Sequence, residues 1–455
     1  MRRGLLVGLT AASVGVIYGY DLSIIAGALL FITDQFGLTT SQQELLTTMV
    51  VIGQIFGALG GGVLANAIGR KKSMILIVVG YVVFALLGAT SVSMPMLLAA
   101  RLLLGLTIGV SVVVVPVYVA ESAPAAVRGS LLAAYQLATI SGLILGYLVG
   151  YLLAGTHSWR LMLGLATVPA TLLLPLLLRI PDTARWYLLK GRVADARQAL
   201  RRVEPEAPED YVEAELAEIG RALSEGSGSV KGTVSEMLRR PYLRATLFVI
   251  TVGFLVQITG INAIIYYSPR IFAAMGFKGY FALLGLPALV QVAGLAAVCA
   301  ALVLVDRLGR RPILLSGIAM MIAADVVLIA VFARGSNVIF GFAGVLLFII
   351  GFSFGFGSMA WVYAGESFPS RLRSIGSSTM LTSSLVGNAI VAAASLTMLH
   401  SLGGAGAFAV FGAFAVVAFG VVYRFAPETK GRQLEEIRHF WENGGRWPAA
   451  TDGRP

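Results

Sequence analysis

Two charged residues lie inside apolar stretches of this chain and are the first candidates for chemistry. Asp21 interrupts an apolar run that begins at Leu5, and Arg101 opens another run of similar length. Charged side chains inside hydrocarbon are unfavourable and mark ion or substrate pathways. A carboxyl group that meets a cation there can gain or lose a proton as its access to water changes. The two residues therefore indicate either a proton-carrying site or a static structural ion pair.

A second set of polar residues in apolar runs could bind an uncharged solute. Amide side chains donate and accept hydrogen bonds, which suits a polyhydroxyl compound, and an indole ring suits the apolar face of a sugar. The same side chains also join membrane helices to each other, so both interpretations stay open for each residue. The candidates are Gln136, Gln257, Asn262, Trp361 and Asn388.

Another acid, Asp325, also lies within an apolar run, and the sequence suggests no partner for it. It is either a functional carboxyl group or one that packs against a polar neighbour or a bound water.

Three charged motifs occur twice, in the same order and at nearly the same offset. The pattern Glu-x-x-Pro-x-x-x-Arg begins at Glu121 and again at Glu366, 245 residues later. A Gly-Arg-basic motif begins at Gly69 and recurs after 240 residues, and a Pro-acid-Thr motif begins at Pro181 and recurs after 246. This regularity indicates an internal duplication into two halves.

The repeated motifs place opposite charges at helix ends on one face of each half. Such pairs can hold two repeats together and separate when a central cavity opens on that face. We therefore predict a cytoplasmic latch between the halves, formed by Arg70, Glu121, Arg128, Asp182, Arg185, Asp306, Arg310, Glu366, Arg373 and Glu428.

The elements that must position these residues are membrane helices. The 455-residue chain is 57% hydrophobic and 13% charged, with a mean hydropathy of +0.85, which excludes an ordinary soluble enzyme. About 20 apolar residues at 1.5 Å per residue cross the hydrocarbon core. We predict an all-α membrane protein with twelve spans at about residues 5–31, 45–65, 73–90, 96–120, 131–153, 161–178, 243–267, 281–305, 313–332, 338–363, 375–399 and 405–425.

The predicted organisation is two six-helix bundles, residues 1–180 and 242–426, joined by a linker with short surface helices at 181–241 and followed by a tail at 427–455. Of the 34 Lys and Arg residues, 29 fall on the side of both termini and four on the other. Positive charge favours the cytoplasmic side, so we expect both termini in the cytoplasm. The net charge of +11 then faces membrane lipid, not nucleic acid.

In its charged and polar motifs, the chain resembles the sugar porters of the major facilitator superfamily along its whole length. The motifs that carry the resemblance are Gly19-Tyr20-Asp21, Gly69-Arg70-Lys71, Pro116-x-Tyr118-x-x-Glu121, Pro181-Asp182-Thr183-x-Arg185, Gly260-x-Asn262-x-x-x-Tyr266-Tyr267, Asp306-x-x-Gly309-Arg310-Arg311 and Pro427-Glu428-Thr429-Lys430-Gly431.

The resemblance implies a twelve-helix fold that works by alternating access. It assigns sugar contacts to Gln136, Gln257, Asn262 and Trp361, and an outer gate to Tyr266 and Tyr267. An aspartate at position 21, together with the arginine at 101, is typical of the family's proton symporters. Several pocket positions depart from the family pattern, namely Val256, Gly294, Ser353 and Leu385. Ser358 and Ala360 also depart from it, because the family usually has prolines at these two positions.

We predict a secondary active transporter in the cell membrane for proton-coupled uptake of a sugar or sugar-like neutral polyol. A passive facilitator, an exporter of a more apolar solute and a transporter-like nutrient sensor are the alternatives. No nucleophile with a base, metal-ligand cluster or phosphate loop is apparent in the sequence, so we expect no enzyme activity and no cofactor. The expected partners are the solute, protons and membrane lipid, with a monomer as the functional unit.

Overall fold

The structure is a computed structural model that describes residues 2–123, 128–205, 207–225, 235–335, 337–368, 370–432, 434–445 and 447. The described residues are helical with no strand, and twelve helices are long and apolar enough to cross a membrane. The predicted all-α fold with twelve spans is thereby confirmed. We number these helices span 1 to span 12 in chain order; they are Gly4–Phe36, Thr40–Ile68, Arg70–Ala89, Met94–Ser122, Ser130–Thr156, Trp159–Arg179, Leu243–Ala274, Phe281–Leu308, Arg310–Arg334, Val338–Glu366, Ile375–Ser401 and Gly403–Phe425.

Twelve crossings put the start of span 1 and the end of span 12 on one face, which also carries the end of span 6 and the start of span 7. We call this the linker face and the opposite one the loop face. Three short helices follow span 6, namely Ala184–Leu189, Val193–Val203 and Glu209–Glu225, and a helix at Leu434–Glu442 follows span 12. The interface of the last two linker helices is joined by Arg197–Glu213 and Arg201–Glu209 ion pairs.

Several spans are broken where the sequence alone suggests one continuous helix. Span 7 consists of Leu243–Ile258 and Ile261–Ala274, which are separated by Gly260 at a φ of 98°. Only glycine adopts that conformation readily. Span 10 consists of Val338–Phe354 and Phe356–Glu366, so it breaks at Gly355 without the family's prolines.

Close glycine contacts hold the helices of each half together. Gly142 and Gly146 of span 5 face the backbone of span 1, and Gly57 of span 2 faces span 4. In the second half, Gly351 and Gly355 of span 10 face Gly317 of span 9. Small residues permit this close approach of membrane helices.

Contacts between the halves lie towards the loop face. Span 2 packs against span 11, span 5 against span 8, and span 1 against the second segment of span 7. The described hydrogen bonds that cross between the halves also lie near the loop-face ends of their spans. The structure therefore shows a conformation that is closed at the loop face.

Candidate functional site

An ion pair between spans 1 and 4 is the most buried one among the described residues of the first half. Arg101 Nη1 donates a hydrogen bond of 2.7 Å to Asp21 Oδ1, and the two residues are 3% and 1% exposed. The predicted contact between these residues is therefore present. Tyr20 on the same helix donates to the Met162 carbonyl, and Tyr81 donates to the Ile17 carbonyl. These bonds fix the rotation of span 1 relative to spans 3 and 6.

A small cavity adjoins the ion pair on the side of spans 3 and 6. Its lining includes Asp21, Arg101, Ala85 and Ala166, and it has room for about one water molecule. Asp21 Oδ2 and Arg101 Nε have no hydrogen-bond partner among the described residues. The arginine thus satisfies only one of the two carboxylate oxygens.

Three of the predicted solute-binding amides form one hydrogen-bonded cluster in the second half. Asn262 Nδ2 donates to Gln257 Oε1 at 2.6 Å and to Asn388 Oδ1 at 2.8 Å. Gln257 Nε2 donates to Ser384 Oγ at 3.0 Å, and Asn388 Nδ2 donates to the Tyr266 hydroxyl at 3.2 Å. We call these five residues the amide cluster. The break at Gly260 lets Gln257 and Asn262, on separate segments of span 7, point towards each other.

The other two predicted solute-binding residues lie outside this cluster. Gln136 is half-buried on span 5, and Trp361 is 41% exposed on the second segment of span 10. Among the described contacts, neither side chain has a hydrogen bond to the amide cluster. Their role as solute contacts remains a prediction.

The two tyrosines predicted as an outer gate have different partners. Tyr266 belongs to the amide cluster, whereas the Tyr267 hydroxyl donates to the Ala392 carbonyl of span 11 at 2.6 Å. Tyr267 also departs from helical geometry, with a φ of −120° and a ψ of 17°. Both residues are buried.

Ser384 of the amide cluster was not predicted from the sequence, because a lone serine in an apolar helix carries no distinctive signal.

The charges at the linker face form a separate cluster in each half. In the first half, Arg70 contacts Glu121 at 3.0 Å and Arg185 lies 3.9 Å from the same carboxylate. In the second half, Arg310 lies 3.9 Å from Glu366 and 3.3 Å from Asp306. The described contacts join elements of the same half.

The predicted latch between the halves is not formed by the described contacts of this conformation, and it stays a prediction. The halves meet at the loop face, so each linker-face carboxylate pairs with the nearest cation of its own half. Arg373 Nε has no hydrogen-bond partner among the described residues. The side chain of Arg128 lies outside the described residues.

The repeated acid of the Pro-acid-Thr motif caps the start of a membrane helix. Asp182 Oδ1 accepts from the backbone N–H of Arg70 at 3.0 Å, where span 3 begins. Glu428 accepts from the N–H groups of Arg310 and Arg311 at 3.0 and 3.1 Å, where span 9 begins. A carboxylate at a helix N-terminus satisfies free donors and complements the helix dipole. Burial raises the pKa of Asp182, and the hydrogen bonds from backbone N–H groups oppose this effect.

The glycine before each capped helix is required by the same arrangement. Gly69 has a φ of 101° and a ψ of 157°, and a Cβ there would collide with the Asp182 carboxylate. Gly309 has a φ of 96°, and a Cβ there would lie 2.6 Å from Glu428 Oε2. The repeated glycine, arginine and acid therefore form one capping unit.

We expect Gly69→Ala to destabilise the protein by roughly 3 kcal/mol, because the backbone conformation is nearly restricted to glycine and the cap is displaced. The measurement is thermal unfolding of the purified protein in detergent. Gly37→Ala is the matched control, since Gly37 also has a positive φ, 61°, but open space around it. Equal melting temperatures for the two variants would contradict the capping unit.

A carboxylate that crosses between the halves was not found by sequence reasoning. Glu44 of span 2 is 5% exposed, and its two oxygens accept from the backbone N–H and the hydroxyl of Thr397 on span 11, each at 2.7 Å. Its neighbour Gln43 accepts from Arg270 at 3.2 Å. These bonds hold the loop face closed.

We expect Thr397→Val to shift the protein about fivefold towards opening at the loop face, because it leaves one buried oxygen of Glu44 without a donor, at a cost of about 1 kcal/mol. Spin labels at exposed Val92 and Lys278, in a Cys299→Ser background, report the distance between the halves by electron resonance. Thr397→Ser keeps the hydroxyl and should match the wild type. A distribution unchanged in Thr397→Val would show that this bond does not hold the face closed.

Comparison with known proteins identifies the family to which this geometry belongs. A family model described as "Sugar (and other) transporter" matches residues 7–441. The chain belongs to the sugar porter family of the major facilitator superfamily. The resemblance inferred from the motifs is thus confirmed, and the relatives are transporters, not enzymes.

The similar proteins include curated transporters and solved structures. The chain is 35% identical to a galactose-proton symporter of Escherichia coli, covering 94% of this chain and 92% of that protein. It is 32% identical to an arabinose-proton symporter of the same species, covering 96% and 93%. It is also similar to the proton:xylose symporter XylE bound to 6-bromo-6-deoxy-D-glucose, with a TM-score of 0.81 and 25% identity over 97% of this chain and 99% of XylE. This sugar porter is accordingly a multi-pass membrane protein.

Proposed function

We propose that this sugar porter takes up a sugar or sugar-like neutral polyol together with protons. The buried Asp21–Arg101 pair carries this proposal, because it places a partly satisfied carboxylate inside the helix bundle of a transporter. Water and the nearby cation favour the carboxylate, and exclusion of water favours the neutral acid. A conformational change that alters access to Asp21 would therefore bind or release a proton. The galactose, arabinose and xylose relatives named above are proton symporters, which supports the same assignment.

The amide cluster supports a hydroxylated, uncharged solute. Its donors and acceptors are neutral, and the hydrogen bonds among Gln257, Asn262 and Asn388 can be exchanged for bonds to solute hydroxyl groups. In the described spans, no basic or acidic side chain belongs to this cluster. Trp361 lies on a more exposed part of span 10, where its ring could stack on a sugar.

The conformation supports alternating access. With the linker face cytoplasmic, as the distribution of Lys and Arg indicates, closure at the loop face makes this the inward-facing state. Rocking of the halves would break the Glu44–Thr397 bonds and bring the linker-face charges of the two halves together. The predicted latch would then belong to the outward-facing state.

The experiment that tests the proposal is a pH measurement outside lightly buffered, de-energised cells that express the protein. A panel of hexoses, pentoses and polyols is added one at a time, with cells that carry an empty vector as the control. We expect at least one solute to alkalinise the medium through the protein only. Entry of labelled solute without a pH change would instead establish a passive facilitator.

A second candidate function is export of a more apolar solute. It is favoured by the apolar or small residues Val256, Gly294 and Leu385 at positions where the family carries polar side chains or tryptophan. Because each missing hydrogen-bond partner weakens binding by about 1 to 3 kcal/mol, a sugar would be held less tightly here. If no member of the panel is transported, this candidate replaces the first.

A further inference from the structure

Asp325 is a buried acid that takes no part in the sites described above. It lies within span 9 and is 1% exposed. Neither of its carboxyl oxygens has a hydrogen-bond partner among the described residues. The basic residues of its own helix lie at its two ends, Arg310 and Arg311 at one and Arg334 at the other, roughly 22, 21 and 14 Å away at 1.5 Å per residue.

The helices packed against span 9 bring no cation to Asp325. Spans 8, 10 and 12 contact span 9. The charged side chains and the tyrosines of these three spans lie at their linker-face ends. Cys299, an exposed thiol on span 8, is the other titratable group on them. The groups in question are Asp306, Arg307, Tyr363, Glu366, Tyr423 and Arg424. An ionised carboxylate in such a place would be unpaired in an apolar surrounding, which is strongly unfavourable.

The fold makes specific room for this side chain. A Cβ at Gly412 of span 12 would lie 3.2 Å from Asp325 Cβ and 3.5 Å from its Oδ2. The carboxyl group therefore lies directly over the backbone of span 12, where a larger residue would crowd it. The acid occupies a shaped position between spans 9 and 12.

The internal duplication gives this position a counterpart in the first half. Span 9 follows Gly309 as span 3 follows Gly69, at an offset of 240 residues, so Asp325 corresponds to Ala85. Near the end of the halves the offset is 246, so Gly412 corresponds to Ala166. Ala85 and Ala166 both line the small cavity at the Asp21–Arg101 pair. The position of Asp325 in the second half thus corresponds to the lining of the cavity beside Asp21 in the first half.

We propose that Asp325 is a second proton-binding site, which holds its proton as a neutral carboxylic acid in this conformation. The two sites differ in whether a cation stabilises the ionised carboxylate, and this difference decides which site keeps its proton. Asp21 has an arginine that stabilises its ionised form, whereas Asp325 has only apolar packing and the backbone of span 12. The second site therefore retains its proton when the first one is ionised. This inference stands apart from the proposed function, since it requires neither a sugar nor coupling.

Infrared spectroscopy of the purified protein at neutral pH tests the proposal directly. Labelling with carboxyl-carbon-13 aspartate shifts the bands of aspartic acid, and a protonated carboxyl group absorbs apart from carboxylates. We expect a protonated aspartic acid band in the wild type that is lost in Asp325→Asn. Asp195→Asn, which removes an exposed carboxylate, should leave the band intact.

The proposal would be overturned by a wild type without a protonated aspartic acid band or by the full band in Asp325→Asn. Loss of the band in Asp21→Asn alone would assign the proton to the first site and would likewise refute it. If Asp325→Asn does not fold, Asp325→Glu keeps a carboxyl group but not the label, so the labelled band should again disappear. The cell pH measurement is independent of these spectra, so failure of one leaves the other standing.

Discussion

Asp21→Asn is expected to abolish solute-dependent proton uptake while solute exchange continues. The amide oxygen can still accept the hydrogen bond from Arg101, so the helices remain joined, but the side chain can no longer bind and release a proton. In proteoliposomes, we expect proton-driven accumulation to fall at least tenfold and counterflow of labelled solute to stay within about twofold of the wild type. This change has the largest expected effect on coupling.

The matched control for this variant is Asp34→Asn, because Asp34 is an exposed carboxylate on the same helix. Removal of Asp21 also leaves a buried arginine less well paired, and breaking a buried pair can destabilise a protein by about 3 to 5 kcal/mol. The double variant Asp21→Asn, Arg101→Gln separates this effect, since it should restore stability but not coupling. Full accumulation by Asp21→Asn would mean that the pair is purely structural.

Asn262→Ala is expected to weaken solute binding by about five- to 150-fold, which corresponds to about 1 to 3 kcal/mol. Asn262 donates to both Gln257 and Asn388, so its removal leaves one partly buried and one buried acceptor without this donor. It thereby disorganises the amide cluster as well as removing one contact. The measurement is the concentration of solute that gives half-maximal counterflow.

Ser383→Ala provides the matched control for this binding site. Ser383 lies beside Ser384 on span 11, but its hydroxyl donates to the Ile250 carbonyl, outside the amide cluster. We expect its counterflow to match the wild type. If Asn262→Ala and Ser383→Ala have the same half-maximal concentration, the amide cluster joins helices and does not bind the solute.

The composition and the order of motifs were sufficient to predict the fold. Lipid imposes internal hydrogen bonding on every backbone group, so long apolar runs can only be helices, and twelve were found where twelve were predicted. The family could be recognised from short motifs such as Gly69-Arg70-Lys71. The first two residues of this motif belong to the capping unit, which restricts the residue types at these positions. The interaction of Asp21 with Arg101 could also be predicted, because two opposite charges in hydrocarbon have few alternatives to each other.

The latch shows where this reasoning reaches its limit. The sequence places Glu121 and Glu366 at helix ends, but each has a cation within its own half and a possible one across the interface. The choice depends on which face of the protein is closed, and a single sequence encodes both conformations. Glu44 was missed for the same reason, because its partner is a backbone N–H and a hydroxyl on span 11, which only the packing of the two halves brings near.

By itself, the sequence determined the twelve spans, the duplication and the charges Asp21, Arg101 and Asp325 inside apolar runs, because hydrocarbon length and the unfavourable burial of charge act on local sequence. Only the tertiary structure decided that Gln257, Asn262 and Asn388 meet while Gln136 and Trp361 lie apart, since the break at Gly260 turns one segment of span 7 towards the other. It also decided that Asp325 faces Gly412 and no cation. Which side chains meet depends on helix rotation and on breaks between segments, and these are set by packing across the whole bundle.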